Sequence, residues 1–503
     1  MTKIKKIINI FLYAFLITGI GGSHIFAQVT VDDFDEMEIA KLRYFLLQES
    51  AEPGIRNYQQ LGIPSMNEVE WLRVFGTSWN SNTLRLTRVN WASLKLAGRM
   101  DFSDFPELAT LNCPNNSIQL IDVTNSQKLE RLDVYTNNLS VIDVTTNPLL
   151  NYLRLGFNHI STVDLSNNPN LVFFCCTGNK FNTLDLSDKE HLQTFYCLSN
   201  GLRSLCIDNC NALKEGFCDM NQLDTLNLFN LPNLQKFHCS FNGLKSLSFD
   251  NCTALEELLC NDNSLSVLDL SDCVNLTKLN CNKNKLTSLS LEGCNNLTTL
   301  NCENNMLYSL DISSSAPLST LSCKNNYLTF ITLPLPSEQL SSYTYNPQNP
   351  INLESKYDAV DFGGFYRIND FITSYTWKYK YSLFNSFTSM DGVFSFDESY
   401  IGETFICEVR NNALPATTLR YNVTLMQDDV ANTPPLKEKP LVYASGQAIH
   451  VSTGSPVTVS IYSLLGMLIM KKEVRTGYTI IPVESGFYGV VMDDKTSCKL
   501  IVR

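Results

Sequence analysis

Leucine returns every 21 residues through the middle of the chain. Counting Leu108 as position one, the same position is filled by Leu129, Leu150, Leu171, Leu192, Leu213, Leu234, Leu255, Leu276, Leu297 and Leu318, eleven copies without an insertion. Within a copy the apolar positions are one, four, six, eleven, fourteen and sixteen, as in Leu297, Leu300, Cys302, Leu307, Leu310 and Ile312, with polar residues between them. The alternation around positions four and six predicts a short strand whose residues at three and five face away from the core. One such unit cannot bury its own leucines, so the units are expected to stack as turns around a shared core, a solenoid with a parallel sheet along one side.

Period and pattern together are those of a leucine-rich repeat, expected over residues 108–338. Position nine is asparagine in every copy: Asn116, Asn137, Asn158, Asn179, Asn200, Asn221, Asn242, Asn263, Asn284, Asn305 and Asn326. An amide carries both donors and an acceptor, so this column is expected to bond backbone at the bend and in the adjacent turn. Position six is cysteine in nine copies, Cys113, Cys176, Cys197, Cys218, Cys239, Cys260, Cys281, Cys302 and Cys323, with Val134 and Leu155 in the others. The aliphatic replacements mark an apolar slot in which a thiol packs as a small hydrophobe. Parallel side chains on strands about 4.7–4.9 Å apart do not converge to the roughly 3.8 Å between Cβ atoms that a disulfide prefers, so the column is expected to stay reduced. A second cysteine column, Cys210, Cys252, Cys273 and Cys294 at position nineteen, is expected to pack in the same way.

The flanks follow other patterns. Lys3, Lys5 and Lys6 precede an apolar run from Ile7 to Ile20 and small residues up to Ala27, the layout of a signal peptide over residues 1–27. No other stretch is long and apolar enough to span a bilayer, so no transmembrane segment is expected in the mature protein. In residues 28–107, Ile39, Leu42, Phe45 and Leu46 recur at helical spacing, and a small, mostly helical N-terminal cap is expected to shield the first turn. Pro334 and Pro336 punctuate the end of the stack. From 351 to 426, alternating runs around Tyr375, Trp377 and Tyr379, then Phe394 and Phe396, then Phe405, Cys407 and Val409, predict an immunoglobulin-like β-sandwich without the usual disulfide. A charged linker at 427–440 leads to a second all-β, immunoglobulin-like sandwich, expected over 441–503.

Chemistry is sparse. A net charge of -12 disfavours nucleic acid as a partner. Histidines are few and share no repeat column, no metal-ligand spacing or catalytic motif occurs, and the recurrent aspartates of position fifteen read as turn formers. No catalytic residue, metal or cofactor is expected, and the chain is not expected to be an enzyme. What stands out is the outward face. Tyr152, Phe173, Tyr196, Phe217, His238 and Leu259 occupy positions three and five of the central copies, joined at seven and eight by Tyr135, Phe157, Leu198, Met220 and Phe241, whereas both ends of the stack are polar there. Clustered outward aromatics predict a ligand-binding surface.

The 21-residue period with cysteine at six and asparagine at nine resembles internalin J and related bacterial surface leucine-rich-repeat proteins over residues 108–338. That resemblance implies a secreted or surface adhesin that binds protein or glycan through the concave solenoid face; a structural surface-layer component without a specific ligand is the alternative, and a hydrolase the third. Residues 441–503, through the run Val459 to Gly466, Gly486 and Tyr488, and the closing strand around Lys499, resemble the sorting domain of the type IX secretion system. This implies outer-membrane secretion machinery as a partner and a final location on the outer-membrane surface or outside the cell.

Overall fold

The computed structural model describes residues 34–63, 76–313, 315–427 and the strands within 441–502. The expected signal peptide, residues 64–75 of the expected cap, residues 428–440 of the expected linker and Gly466 lie outside the described residues. The chain divides into two units, 1–426 and 427–503.

The repeats form a leucine-rich-repeat solenoid. Positions three to five of every turn make a three-residue strand, from Thr110–Asn112 through Arg131–Asp133 and Tyr152–Arg154 to Thr320–Ser322, each paired in parallel with the next at a constant 21-residue offset. The leucines of positions one, four and eleven point inward and are almost fully buried. On the opposite side positions thirteen to fifteen make separate two-stranded parallel pairs, such as Thr183–Asp185 with Ser204–Cys206 and Val267–Asp269 with Ser288–Ser290.

The sheet has fourteen strands and extends past the eleven copies at both ends. Before Leu108, Leu86–Asn90 pairs in parallel with Thr110–Asn112, and the antiparallel edge strand Thr77–Trp79 lies outside it. The segment expected to be mostly helical therefore contributes strands, because Leu86, Val89, Trp91 and Leu96 bury one face as a repeat does. Its main helix, α1 (Glu36–Leu46), starts at Asp35, whose carboxylate accepts from the N–H groups of Met37 and Glu38, and it buries Leu42, Phe45 and Leu46. Phe45 stacks on Trp91. Two polar residues finish the backbone there: Glu38 accepts from the N–H of Leu86, and fully buried Asn57 bonds both the N–H and the C=O of Ala97. Burial raises the pKa of Glu38 against the opposing pull of those bonds and Arg85.

After the prolines, Ser342–Thr344 adds a last parallel strand beside Thr320–Ser322, with Tyr343 opposite Leu321. Residues 351–426 then form two larger sheets and a two-stranded antiparallel pair, Arg367–Ile368 with Phe371–Ile372. One has five strands in the order Ile351–Lys356, Thr418–Met426, Thr404–Arg410, Ser374–Tyr379, Ser382–Leu383; the other has three, Val360–Asp361, Val393–Phe396, Phe387–Met390. Trp377 is buried among Phe362, Phe387, Phe394 and Phe396, and pairs in register with Cys407. In the second unit, antiparallel sheets of three and four strands contain Gly486–Met492 and Thr496–Val502, so Gly486, Tyr488 and Lys499 lie on adjacent strands.

Candidate functional site

Two columns of polar side chains hold the turns in one register, and that register builds the outward face. Each position-nine asparagine works in three directions. Asn305 donates through Nδ2 to the carbonyls of Cys302 in its own turn and Cys281 in the turn before, at 3.1 and 3.0 Å, and its Oδ1 accepts from the N–H of Leu286. Asn137, Asn158, Asn242, Asn263 and Asn284 repeat those contacts. The column ends on a residue absent from the 21-residue pattern: Gln348 donates to the carbonyl of Cys323 and accepts from Asn326 and Leu328.

The position-six thiols are buried and unpaired, as is every cysteine with a described side chain except half-buried Cys206, which is also unpaired. Burial raises their pKa, since a thiolate would be desolvated without a counter-charge. Position nineteen differs from the expectation of simple packing, because it is a second hydrogen-bonding column. Ser126, Asn147 and Asn168 donate to carbonyls of the turn before, and the thiols of Cys210 and Cys252 make the same bond to Leu186 and Leu228 at 3.0 and 2.8 Å. The aspartates of position fifteen accept from the residue two further on, as Asp143 does from Thr145 and Asp164 from Ser166, which lowers the pKa of Asp164.

On the outward face the expected residues come together as one column. The guanidinium of Arg131 lies 3.5 Å from the centre of the Tyr152 ring, which stacks on Phe173 at 4.5 Å and 7°. Phe173 meets Tyr196 at 5.8 Å, Tyr196 stacks on Phe217 at 4.6 Å and 1°, and His238 stands edge-on to Phe217 at 4.8 Å. The rings are therefore half-buried by one another rather than freely exposed. Leu259 continues the column and is half-buried. Arg154 covers Tyr135 at 3.8 Å, and both Arg131 and Arg154 pair with Asp133, itself buried. Beyond the rings, Glu215 pairs with Lys236, and Glu257 with Lys278 and His238.

Position eight has a conformation that the sequence pattern did not disclose. All eleven of its residues have φ between 50° and 67°, the left-handed region. Asparagine, aspartate and glycine tolerate it, and bulky apolar residues are uncommon there. Phe157, Met220 and Phe241 nevertheless occupy it, and they are about half exposed, at 48, 56 and 49%. Phe157 has a packing partner, since its ring lies where a Cβ on Gly178 would stand, and Tyr135 lies likewise over Gly156. Leu198 is half-buried at position seven.

Among the described residues no group of His, Cys, Asp and Glu is arranged to hold a metal ion, and no helix is long and apolar enough to cross a membrane. No family model and no curated protein matches the chain. Solved structures similar to it are leucine-rich-repeat proteins. The functional domain of InlJ from Listeria monocytogenes, described as including a cysteine ladder, is 22% identical over 72% of this chain and 88% of that one, with a TM-score of 0.41. YopM from Yersinia enterocolitica is 26% identical over 53% and 56%, TM-score 0.42. A leucine-rich-repeat protein from Leptospira interrogans is 23% identical over 45% and 69%, TM-score 0.36.

Proposed function

We propose that this protein is exported to the cell surface or beyond and binds an extracellular partner, a protein or a glycan, through the outward face of the long sheet between Arg131 and Leu259. One observation carries the reading. The strand geometry repeats from turn to turn, yet Thr299 and Asn301, or Thr320 and Ser322, stand where the central turns carry Tyr152, Phe173, Tyr196 and Phe217. Since the fold accepts small polar residues at these positions, it does not demand rings. Rings and guanidiniums at a solvent-facing surface are the side chains that interfaces favour.

In this reading the N-terminal segment caps the stack, residues 351–426 are an immunoglobulin-like spacer, and 441–503 is the sorting domain that addresses the chain to the outer-membrane secretion machinery. The alternative, a surface-layer component without a ligand, is separated by probing the full chain against a glycan array and in pull-downs from extracellular protein. Binding that disappears in the Tyr196→Ser, Phe217→Ser double variant supports the proposal. Silence in both assays, with abundant ordered display on the cell, favours the structural role.

A further inference from the structure

The geometry of the column narrows the partner, on the premise that this face binds. A sugar docks on an aromatic side chain by laying its C–H groups flat against an open ring face. Here most of the faces are taken: Arg131, Tyr152 and Phe173 cover one another in sequence, Tyr196 and Phe217 lie flat together, His238 closes the end, and Phe173 and Tyr196 meet tilted, at 5.8 Å and 44°. What the column turns to solvent is a row of ring edges, which carry the positive part of the aromatic quadrupole and suit carbonyl and carboxylate oxygens.

Charge points the same way. At the Arg131 end two guanidiniums share the single carboxylate of Asp133, leaving an excess of positive charge with both arginines partly accessible. At the other end carboxylates and ammoniums alternate one to one along Glu215, Lys236, Glu257 and Lys278. Beside the column, Met220 and Phe241 hold half-exposed apolar side chains in the left-handed conformation that asparagine fills in other turns. Neither has a glycine beneath it as Phe157 does. Their residue type opposes the local backbone preference, and although the thioether of Met220 accepts from the Ser199 hydroxyl at 3.5 Å, both side chains leave about half of their surface to meet something outside the fold. The flexible thioether of Met220 suits an irregular peptide surface.

We propose that the partner is a polypeptide segment, not a carbohydrate, that places a carboxylate at Arg131 and Arg154 and apolar side chains against Met220 and Phe241. The test is selection from a phage-displayed library of random linear peptides on the full chain, with a glycan array in parallel. Expected are peptides that pair Asp or Glu with apolar residues, bind more weakly as salt rises, and lose about tenfold in affinity to Arg154→Gln. Met220→Asn with Phe241→Asn is expected to lower affinity while raising the melting temperature, an outcome that a packing role for these residues would reverse. Selected peptides without acidic residues, or a melting temperature that falls in the asparagine variant, overturn the proposal. Glycan binding that is lost in Phe217→Ser overturns the peptide class but keeps the face. No binder of either kind that depends on Phe217 overturns both.

Discussion

Asn305 illustrates how much one side chain settles in this fold. Its amide satisfies two carbonyls and one N–H that belong to two different turns, all shielded from water. Each buried backbone group left without a partner costs about 1–3 kcal/mol. Asn305→Ala is therefore expected to destabilise the solenoid by roughly 2–4 kcal/mol in urea denaturation, and a loss under about 1 kcal/mol would show that water replaces the amide. The thiols make a separate prediction about pH. Cys210, Cys252 and Cys294 are pushed from an ordinary 9.0 up to about 11, chiefly by burial. The folded state thus keeps protons that the unfolded chain releases above pH 9, so their contribution is complete below that value and is lost as pH rises towards 11. The melting temperature should fall across this window, and by less in a variant with alanine at all three positions. An equal fall in both would assign the alkaline loss to other groups.

At the scale of the turn, residue choices are coupled across neighbours. Position four is leucine or phenylalanine in every turn but one, where Gly216 stands between Phe195 and Phe237. A Cβ on Gly216 would lie 2.7–2.9 Å from those two rings, whose centres are 6.4 Å apart, so the phenylalanines fill the space that a leucine would use. Restoring the pattern with Gly216→Leu is expected to destabilise by about 1–3 kcal/mol through overpacking. Adding Phe195→Leu and Phe237→Leu should recover most of that; a triple variant no better than the single one would refute the account.

The same coupling explains which parts of the structure were legible in the sequence. The period, the inward leucines and the outward aromatics follow from spacing, because a repeat displays its own register. The left-handed bend at position eight had one faint trace, Asn115, Gly178, Asp262, Asn304 and Asn325, which Thr136, Phe157, Ser199, Met220, Phe241 and Lys283 interrupt. The stacking of the rings on one another had none, since spacing says which side a residue faces but not which neighbour it leans on. The end turns were hidden for a different reason. Gln348 follows Asn326 by 22 residues and reaches the ladder with a longer amide, so a search at fixed period stops one strand early.

For the whole molecule, the expected address can be tested apart from the face. Deleting 441–503 is expected to leave the remainder in the periplasm while the repeats keep their fold, as judged by cell fractionation and protease resistance. The C-terminal segment is a separate unit, so its loss removes none of the contacts described within residues 34–426. Undiminished surface exposure of the truncated chain would refute the address.

The direction of the asparagine contacts has a further consequence if the chain is threaded through membranes, as the proposed export requires. Every amide reaches backwards, to the carbonyl and N–H of the turn already made, and none waits on a segment far along the chain. A polypeptide delivered amino end first finds each bonding partner in place as the next asparagine arrives. Winding can therefore begin before delivery is complete, each arriving turn finishing the one before it, until Gln348 closes the last.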